Sequence, residues 1–443
     1  MKKTTISIII SSFMAVTLTG CNTQNTSFKN KTTTLSIWHV YGSQTESPMN
    51  DIIDEFNQTV GKENNVVVEV TSISDSTAID EAIVNAKEQD KLPDIFTAYP
   101  RIANKIDKAL LIDWSDYFTE QELDEYVDDF LNEGYFDDSL LMFPIAKSTE
   151  LFFLDKTLYE RFSDKKDFSD FNTIFDLCNQ YYDYSSGKVM LQINDYYHYF
   201  YTQINALGGS FIENNRVNTD TKEFETVFLP IAKAAIYGGL STDDGYASDK
   251  WKTAELISSI GSTAGIMYMR DYVTYENGED EDIETGIYTY PTIDGAKPTV
   301  IQRGTGIFGV KSEDKQKNED IALFVKWITE KEQNLRLTTE MGYLPVTKKA
   351  FDELFSNLNT VENPKYRQVY QTVSQMYDTY SFISLPLFEN SDDVQKNFEE
   401  SFKNTLGEAH KTYVERVEEG ADPNKTMEEL LDVSLKSFKK QLQ

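Results

Sequence analysis

The sequence predicts an α/β protein with two lobes that are linked more than once. The chain has 443 residues, enough for two or three domains or for one bilobed unit. Strand and helix patterns alternate from residue 35 to residue 98, as in a parallel sheet covered by helices. A later strand over 307–310 and the helix after it have no evident place in the second lobe. The chain is therefore expected to return to the first lobe.

The first lobe opens with a strand, a helix and a second strand. Residues 35–41 are strand-like, and Ser47 and Pro48 take the cap and the first position of the next helix. The apolar face of that helix has a 3.6-residue period, with Met49, Ile52, Ile53, Phe56 and Val60. Residues 66–70 form a continuous β-branched run, which is typical of a buried parallel strand. The pattern continues with a helix marked by Ile79, Ala82, Ile83 and Ala86 and a strand over 94–98.

The rest of the chain alternates less regularly. Helical patterns cover the acidic residues 120–136 and then 170–182, 193–207 and 221–237. Short strands are predicted over 140–144, 151–154, 264–268 and 286–290, with a charged loop over 276–282. The last hundred residues are mostly helical and contain no internal repeat.

The amino-acid composition argues against some classes of binding partner. Asp and Glu number 73 against 42 Lys and Arg, and the net charge of -31 repels phosphate backbones and anionic bilayers. Nucleic acid is therefore not an expected partner. Aromatic residues make up 13% of the chain, which argues for a packed core and against disorder.

The first 21 residues have the features of an exported lipoprotein. Lys2 and Lys3 precede an apolar run over 6–18 that is too short to span a bilayer. The run ends in Leu-Thr-Gly-Cys, which resembles a lipobox, where a bacterial lipoprotein is acylated on its cysteine and cleaved before it. We predict a signal peptide over 1–21, lipid attachment at Cys21 and a polar tether over 22–34. An ordinary signal peptide with a chance cysteine is the alternative.

Four segments, in order along the chain, resemble one protein family. They are Ile37-Trp38-His39, Leu92-Pro93-Asp94-Ile95, Phe143-Pro144-Ile145-Ala146 with Leu154-Asp155-Lys156, and Gly342-Tyr343-Leu344-Pro345-Val346. The chain resembles the family 1 extracellular solute-binding proteins of bacterial ABC importers, which include maltose- and glycerol-phosphate-binding proteins. The resemblance covers most of 33–443.

The resemblance implies a type II periplasmic-binding-protein-like fold, with two lobes, parallel-rich sheets flanked by helices and a hinged cleft that closes on a small solute. It implies an N-terminal lobe over 33–145 and 302–345 and a C-terminal lobe over 146–301 and 346–443. The implied function is capture of a carbohydrate, in particular an oligosaccharide, with no catalysis and no cofactor. The implied partners are the permease and ATPase subunits of an importer. The protein is expected to be a monomer, lipid-anchored to the outer face of the bacterial cytoplasmic membrane.

Candidate solute contacts in the first half of the chain lie where predicted strands end. Tyr41 lies at the end of the first predicted strand, and Arg101 follows the third. Ser148 and Thr149 follow the strand that first crosses between the lobes, where the family often places a polar contact. The alternatives are a solvated helix start for Arg101 and hydroxyls bonded to the hinge backbone for Ser148 and Thr149.

The second lobe supplies the other candidates. Asp195, Tyr196 and Tyr197 stand at the start of an unusually aromatic helix, of which about half the rings are expected in the core. Arg270 follows a predicted strand, with an internal salt bridge as the alternative role. Arg303 and Gly304 open the second crossing, where a glycine permits close backbone approach to a ligand. The resemblance adds Tyr343.

Three arginines near a predicted cleft leave the charge of the solute open. Arg suits carboxylate and phosphate groups, so an anionic sugar or a phosphoester polyol is the alternative to a neutral oligosaccharide. Two functions of another class also remain, namely a secreted glycoside hydrolase and a surface lipoprotein without a transport role. No metal site is expected, because His39, His198 and His410 lie far apart in the sequence.

Overall fold

The computed structural model describes residues 32–41 and 47–443. The predicted signal peptide, Cys21 and residues 22–31 of the predicted tether lie outside the described residues. The first strand begins at Thr33, so the last two residues of the predicted tether, Thr33 and Thr34, belong to this strand. Among the described residues, no helix is both long enough and apolar enough to cross a bilayer.

The first part of the chain alternates strands and helices as predicted. Its elements are β1 (Thr33–His39), α1 (Pro48–Gln58), α2 (Val60–Asn64), β2 (Val66–Ser72), α3 (Ser76–Glu88), β3 (Ile95–Ala98), α4 (Glu120–Leu123), α5 (Asp128–Asn132), β4 (Tyr135–Phe136), β5 (Ser139–Leu140) and β6 (Phe143–Pro144). The start of α1 is as predicted, because the Ser47 hydroxyl accepts the Asn50 N–H at 3.3 Å and Pro48 needs no donor there.

The middle part begins at the first crossing between the lobes. Its elements are β7 (Ser148–Asp155), α6 (Lys156–Tyr159), α7 (Phe171–Tyr184), β8 (Leu191–Ile193), α8 (Tyr196–Ala206), β9 (Ile212–Glu213), β10 (Arg216–Val217), α9 (Lys222–Tyr237), α10 (Ala247–Trp251), β11 (Ser258–Ser262), β12 (Tyr272–Thr274), β13 (Asp280–Asp282), β14 (Thr285–Tyr288) and β15 (Thr299–Arg303).

The last part returns to the first lobe before it ends in long helices. Its elements are β16 (Gly306–Gly309), α11 (Lys315–Ile328), α12 (Lys331–Thr339), α13 (Lys348–Ser356), α14 (Pro364–Tyr377), β17 (Ser381–Ile383), α15 (Ser391–Glu418) and α16 (Pro423–Gln441). The predicted strand near 307 and the helix after it are confirmed.

Two large sheets form the centres of the two lobes. The first has the order β2-β1-β3-β16-β6, and the second has the order β17-β15-β7-β11-β8 with β14 also paired to β7. Both sheets are mixed, and four of their nine strand pairs are parallel. The proportion of parallel pairs is lower than expected, because β16 and β7 each run against their neighbours.

Three predicted elements are wrong in detail. Residues 66–70 form an edge strand rather than a buried one, since β2 pairs with β1 alone and leaves Val67 and Val70 exposed. Residues 264–268 belong to a 3-10 helix, because the Ser262 hydroxyl caps the Ala264 N–H and turns the chain as soon as β11 ends. Of the predicted loop over 276–282, residues 276–279 do form the loop between β12 and β13, but residues 280–282 belong to strand β13.

An aromatic cluster fixes α15 over the second lobe. The Phe398 ring lies 5.0 Å from both Phe200 on α8 and Phe438 on α16. Phe402, one turn further along α15, packs at 4.4 Å against Tyr196. Buried aromatic groups of this size dominate packing energies. This packing therefore fixes the position of the first turns of α15 relative to the N-terminus of α8.

Candidate functional site

A cavity of about 1200 Å³ lies between elements of the two lobes. One wall comes from the N-terminus of α3 and the segment after β3. The opposite wall comes from the N-terminus of α8, the end of β15, the segment over 384–387 and the first turns of α15. The residues used below that line it are Asp80, Glu81, Tyr99, Arg101, Lys105, Glu133, Asp195, His198, Arg303, Gly304, Asp392, Gln395, Lys396, Glu399 and Glu400.

Arg303 lies at the centre of the polar groups on the cavity floor. Its guanidinium donates to Glu150 Oε1 at 3.1 Å and to the Tyr99 hydroxyl at 3.5 Å. Burial alone would lower the pKa of Arg303, but the neighbouring Tyr99, Glu150 and Asp195 raise it above its ordinary value. Arg303 is therefore a permanent cation that links β15 of one lobe to the segment after β3 of the other.

The His198 ring extends this polar chain toward α8. Its Nδ1 lies 3.0 Å from Glu150 Oε1, and its Nε2 lies 3.2 Å from Asp195 Oδ2. Asp195 is the N-cap of α8, and its Oδ1 accepts the His198 N–H at 2.9 Å. The imidazole is thus held in one orientation by two carboxylates.

A second carboxylate lies beside Asp195 at the same helix end. Glu399 on α15 accepts the Tyr197 N–H through Oε1 at 2.6 Å. Gln395, one turn earlier on α15, donates to Asp195 Oδ2 at 3.0 Å. Burial first, and the proximity of Asp195 next, raise the pKa of Glu399 well above its ordinary value.

A charged group on the opposite wall joins the two lobes. Arg101 contacts Asp80 at 2.9 Å and Asp392 of α15 at 3.7 Å, while Lys105 contacts Asp392 at 2.6 Å. The Arg101 guanidinium also lies 4.8 Å from the centre of the Tyr99 ring. Burial raises the pKa of Asp80 despite the neighbouring Arg101.

A buried ion pair fixes the crossing point beneath the cavity. Lys147 follows the first crossing and contacts Glu133, the residue that caps the C-terminus of α5, and both side chains are almost fully buried. Gln302 donates to Glu133 Oε1 at 2.9 Å, and Ser384 donates to the same oxygen. Since these groups come from both lobes and both crossings, the pair sets where the two lobes meet.

Two tyrosine side chains, Tyr99 and Tyr135, line the cavity. Tyr246 is 67% exposed and Tyr268 is 50% exposed, and neither lines the cavity. Partial burial raises the pKa of Tyr246.

A sequence profile described as bacterial extracellular solute-binding protein matches residues 51–368. This match covers more than half of the chain. The chain belongs to the bacterial extracellular solute-binding proteins. Membership implies a location outside the cytoplasm. No curated protein matches the sequence.

Solved structures of binding proteins share the two-lobed fold of this solute-binding protein. Maltose-bound MalE3 of Thermotoga maritima is 12% identical, with 91% of this chain and 99% of that chain covered and a TM-score of 0.67. UgpB of Mycobacterium tuberculosis in complex with glycerophosphocholine is 17% identical, with coverages of 92% and 99% and a TM-score of 0.67. Lmo0181 of Listeria monocytogenes in complex with cycloalternan is 11% identical, with coverages of 93% and 100% and a TM-score of 0.68.

Four of the predicted contacts line the cavity of the solute-binding protein. They are Arg101, Asp195, Arg303 and Gly304. Gly304 has a φ of +148°, and a Cβ there would lie 2.6 Å from the Ala146 carbonyl oxygen. Only glycine allows the chain to pass this close to the first crossing.

Tyr41 and Tyr343 form a pair beside the cavity rather than lining it. Their rings meet edge to face, with centres 5.5 Å apart. The Tyr41 side chain is buried, and its hydroxyl bonds to the Thr305 hydroxyl at 2.6 Å. Tyr343 is partly exposed. Tyr41 therefore contacts the second crossing, whereas part of Tyr343 remains open to solvent.

The structure places the remaining predicted contacts elsewhere. Ser148 and Thr149 are buried and donate to backbone carbonyls of β15, which is the alternative stated for them. Tyr196 is buried, and its hydroxyl bonds to the Ser241 carbonyl. Tyr197 packs edge to face against Phe211 and Phe398. Arg270 is exposed, lies over the Tyr272 ring at 5.3 Å and does not line the cavity.

Several residues of the site were absent from the sequence prediction. Tyr99 lies two positions before Arg101, so the end of β3 already pointed to it. His198 lies one helical turn after Asp195, and this spacing could have identified it. Glu150 and Glu399 had no local signal, because their partners are distant in the sequence. Among the described residues, no three His, Cys, Asp or Glu side chains are arranged to hold a metal ion.

Proposed function

We propose that this protein is the solute-binding component of a bacterial ABC importer and that it captures a carbohydrate, in particular an oligosaccharide. The observation that carries the proposal is a cavity of about 1200 Å³ in which tyrosine rings adjoin fixed polar groups. Tyrosine faces suit the apolar face of a sugar ring, and Arg303, His198 and Asp195 suit its hydroxyls. Maltose and cycloalternan are named as ligands of structurally similar proteins.

The proposal extends to the partners and the place of action. The lobes, divided near residues 145, 302 and 346, close on the solute and present it to a permease that is driven by an ATPase. The chain acts as a monomer, attached through Cys21 to the outer face of the cytoplasmic membrane.

The wall charges favour a solute without a net negative charge. Arg101 and Arg303 each face a carboxylate at about 3 Å, and Arg270 does not line the cavity. A phosphate or uronate group would have to displace one of these carboxylates. These contacts therefore disfavour an anionic sugar or a phosphoester polyol as the solute.

The test is thermal unfolding of the mature chain, residues 22–443, with neutral, acidic and amino sugars. A solute at a hundred times its Kd stabilises the folded state by about 2.7 kcal/mol, which raises Tm by several degrees. Small-angle scattering of the same samples should show a smaller radius of gyration with solute bound.

Two tyrosine variants provide the matched control. Tyr99→Ala should abolish the shift in Tm, because it removes a ring from the cavity wall. Tyr184→Ala removes a ring that is 56% exposed outside the cavity and should leave the shift intact. Release of cleaved sugar from an added glycoside, or no shift with any sugar, would contradict the proposal.

A further inference from the structure

The wall of the cavity carries more carboxylates than cations. Seven carboxylates line it against four Lys and Arg side chains. Each of these cations already lies within 4.0 Å of a carboxylate, as the pairs Arg101–Asp80, Lys105–Asp392, Arg303–Glu150 and Lys396–Glu400 show. Among the described residues, no Lys or Arg lies that close to Glu81, Asp195 or Glu399. The wall therefore has more carboxylates than its Lys and Arg side chains pair with, and one of the three left over, Asp195, contacts the His198 ring at 3.2 Å.

Two of these carboxylates, Asp195 and Glu399, share the first turn of α8. Each accepts one backbone N–H there, from His198 and from Tyr197 respectively. The positive end of a helix favours one carboxylate, and a second one beside it adds repulsion. Asp195 Oδ2 also receives Gln395, and the Glu399 side chain lies within hydrogen-bonding reach of Asp195 itself. Two ionised carboxylates cannot bond to each other, so the pair needs either a shared proton or an external donor.

A second acceptor without a donor lies on the opposite wall. Asp80 is 6% exposed, and its Oδ1 is buried with no hydrogen-bond partner among the described residues. Its other oxygen, Oδ2, receives Arg101. A buried acceptor without a donor is unfavourable and is uncommon in folded proteins. Each wall therefore has a carboxylate that the protein's own donors satisfy only in part.

A protonated amine supplies what the Asp195 and Glu399 pair lacks. It offers up to three N–H donors and a positive charge in one compact group. Between Asp195 and Glu399 it would donate to both carboxylates and take the place of a shared proton. A hydroxyl supplies a donor without the charge, and an anion would face the excess of carboxylates.

We propose that the solute carries a protonated amine that binds between Asp195 and Glu399, and that Glu399 determines this specificity. The chemical class is an amino sugar or an oligosaccharide that contains one. The inference rests on the proposed function, since it assigns the chemistry of a solute held in the same cavity.

The experiment compares matched sugars by calorimetry at pH 7 with the full mature chain. The matched sets are glucosamine, N-acetylglucosamine and glucose, and the β1,4-linked disaccharides of the same three sugars. The amine-bearing member of a set should bind at least tenfold more tightly than its acetylated and hydroxyl counterparts. The comparison of each amino sugar with its N-acetylated counterpart is the most informative one, because acetylation keeps the nitrogen atom and removes its positive charge.

Two variants separate this inference from a general effect of charge. Glu399→Gln keeps an oxygen for the Tyr197 N–H, and it should reduce the preference for the amine to below threefold while neutral sugars change little. Glu408→Gln makes the same charge change on an exposed part of α15 outside the cavity and should preserve the preference. Thermal unfolding without sugar checks that both variants fold.

The outcomes distinguish the inference from the proposed function. Equal binding of amine and neutral members, or tighter binding of neutral members, overturns the inference and leaves the carbohydrate function standing. A preference for the amine that survives Glu399→Gln overturns the role of Glu399. If no member binds, the carbohydrate function and the inference fall together.

Discussion

The Arg303 guanidinium and the Glu150 carboxylate lie 3.1 Å apart where the chain crosses between the two sheets. Glu150 is 2% exposed and belongs to β7, the central strand of the second sheet. Arg303 ends β15 and pairs with Ser148 in register. The ion pair thus joins two neighbouring strands at the floor of the cavity, and the same Glu150 oxygen also meets His198.

Removing one partner of this ion pair should destabilise the folded protein. Arg303→Met leaves Glu150 buried with only His198 beside it, and we expect the free energy of unfolding to fall by about 3 kcal/mol. Urea unfolding followed by circular dichroism measures this. The double variant Arg303→Met with Glu150→Gln should recover more than half of the loss, because no unpaired charge remains. A single variant as stable as the wild type would show that the pair is not desolvated.

Gly304→Ala should destabilise the second crossing more than strain in the backbone alone explains. The φ of +148° is unfavourable for alanine, and the added Cβ would meet the Ala146 carbonyl oxygen at 2.6 Å. Gly245→Ala is the control, since its φ is +94° and nothing lies within 4 Å of the added Cβ. We expect the control to lose about 1 kcal/mol and Gly304→Ala to lose clearly more, as measured by urea unfolding. If Gly304→Ala and Gly245→Ala lose the same stability, the unfavourable φ alone explains the effect and the contact with Ala146 contributes nothing.

His39 should make the protein sensitive to acid. The neutral ring is fully bonded, with Nε2 2.8 Å from Asn50 Oδ1 and with Nδ1 accepting the Tyr41 N–H at 3.1 Å. Burial lowers the pKa of His39 from 6.5 to about 4, although the bond to Asn50 opposes this. Between these values the unfolded chain binds more protons than the folded one. The contribution of His39 to stability is therefore complete above pH 6.5 and is lost as the pH falls toward 4, by about 3 kcal/mol in total.

The measurement for His39 is urea unfolding between pH 7 and pH 4 for the wild type and His39→Asn. The variant should lose about 3 kcal/mol less than the wild type over this range. Asp155 acts in the opposite sense, because burial raises its pKa to about 6, so that its unfavourable effect appears as the pH rises. The comparison with the variant cancels this contribution. If the free energy of unfolding falls equally in both proteins between pH 7 and pH 4, His39 is not the cause of the loss of stability in acid.

Cys21→Ala should release the protein from the membrane. The thiol is the proposed site of acylation, and two acyl chains are enough for stable anchoring. Cell fractionation with labelling by a palmitate analogue measures the effect. Cys178→Ala removes the other cysteine, which is buried, and should leave the protein in the membrane fraction. A wild type found only in the soluble fraction would indicate an ordinary signal peptide.

Local patterns predicted most helices and strands because their signals are local. The Ser47 cap and the apolar stripe of α1 lie within one short window, and the structure confirms both. The run over 66–70 was misjudged, since a β-branched run does not show whether a strand has one neighbour or two. The prediction of a strand over 264–268 was wrong because the Ser262 cap competes with the β-propensity of the residues after it.

The site was only partly predictable, because a strand end locates a residue but not the direction of its side chain. Arg303 and Asp195 face the cavity, whereas Tyr196, one position after Asp195, faces the core. Helical geometry separates adjacent residues by about 100°, so a one-residue difference decides between ligand and core. Glu399 lies about 200 residues from Asp195, and only the packing of α15 on α8 brings the two together.

The place of β16 in the first sheet affects how the chain is made. Ala98 pairs with Gly306, although about 200 residues separate them. At typical synthesis rates the ribosome needs on the order of 10–40 s to pass from one to the other. Until then β3 has an open edge, which can pair with other chains. Nascent chains of this protein therefore expose this strand edge for that time, and truncated chains that end before residue 306 should aggregate rather than accumulate as a folded first lobe.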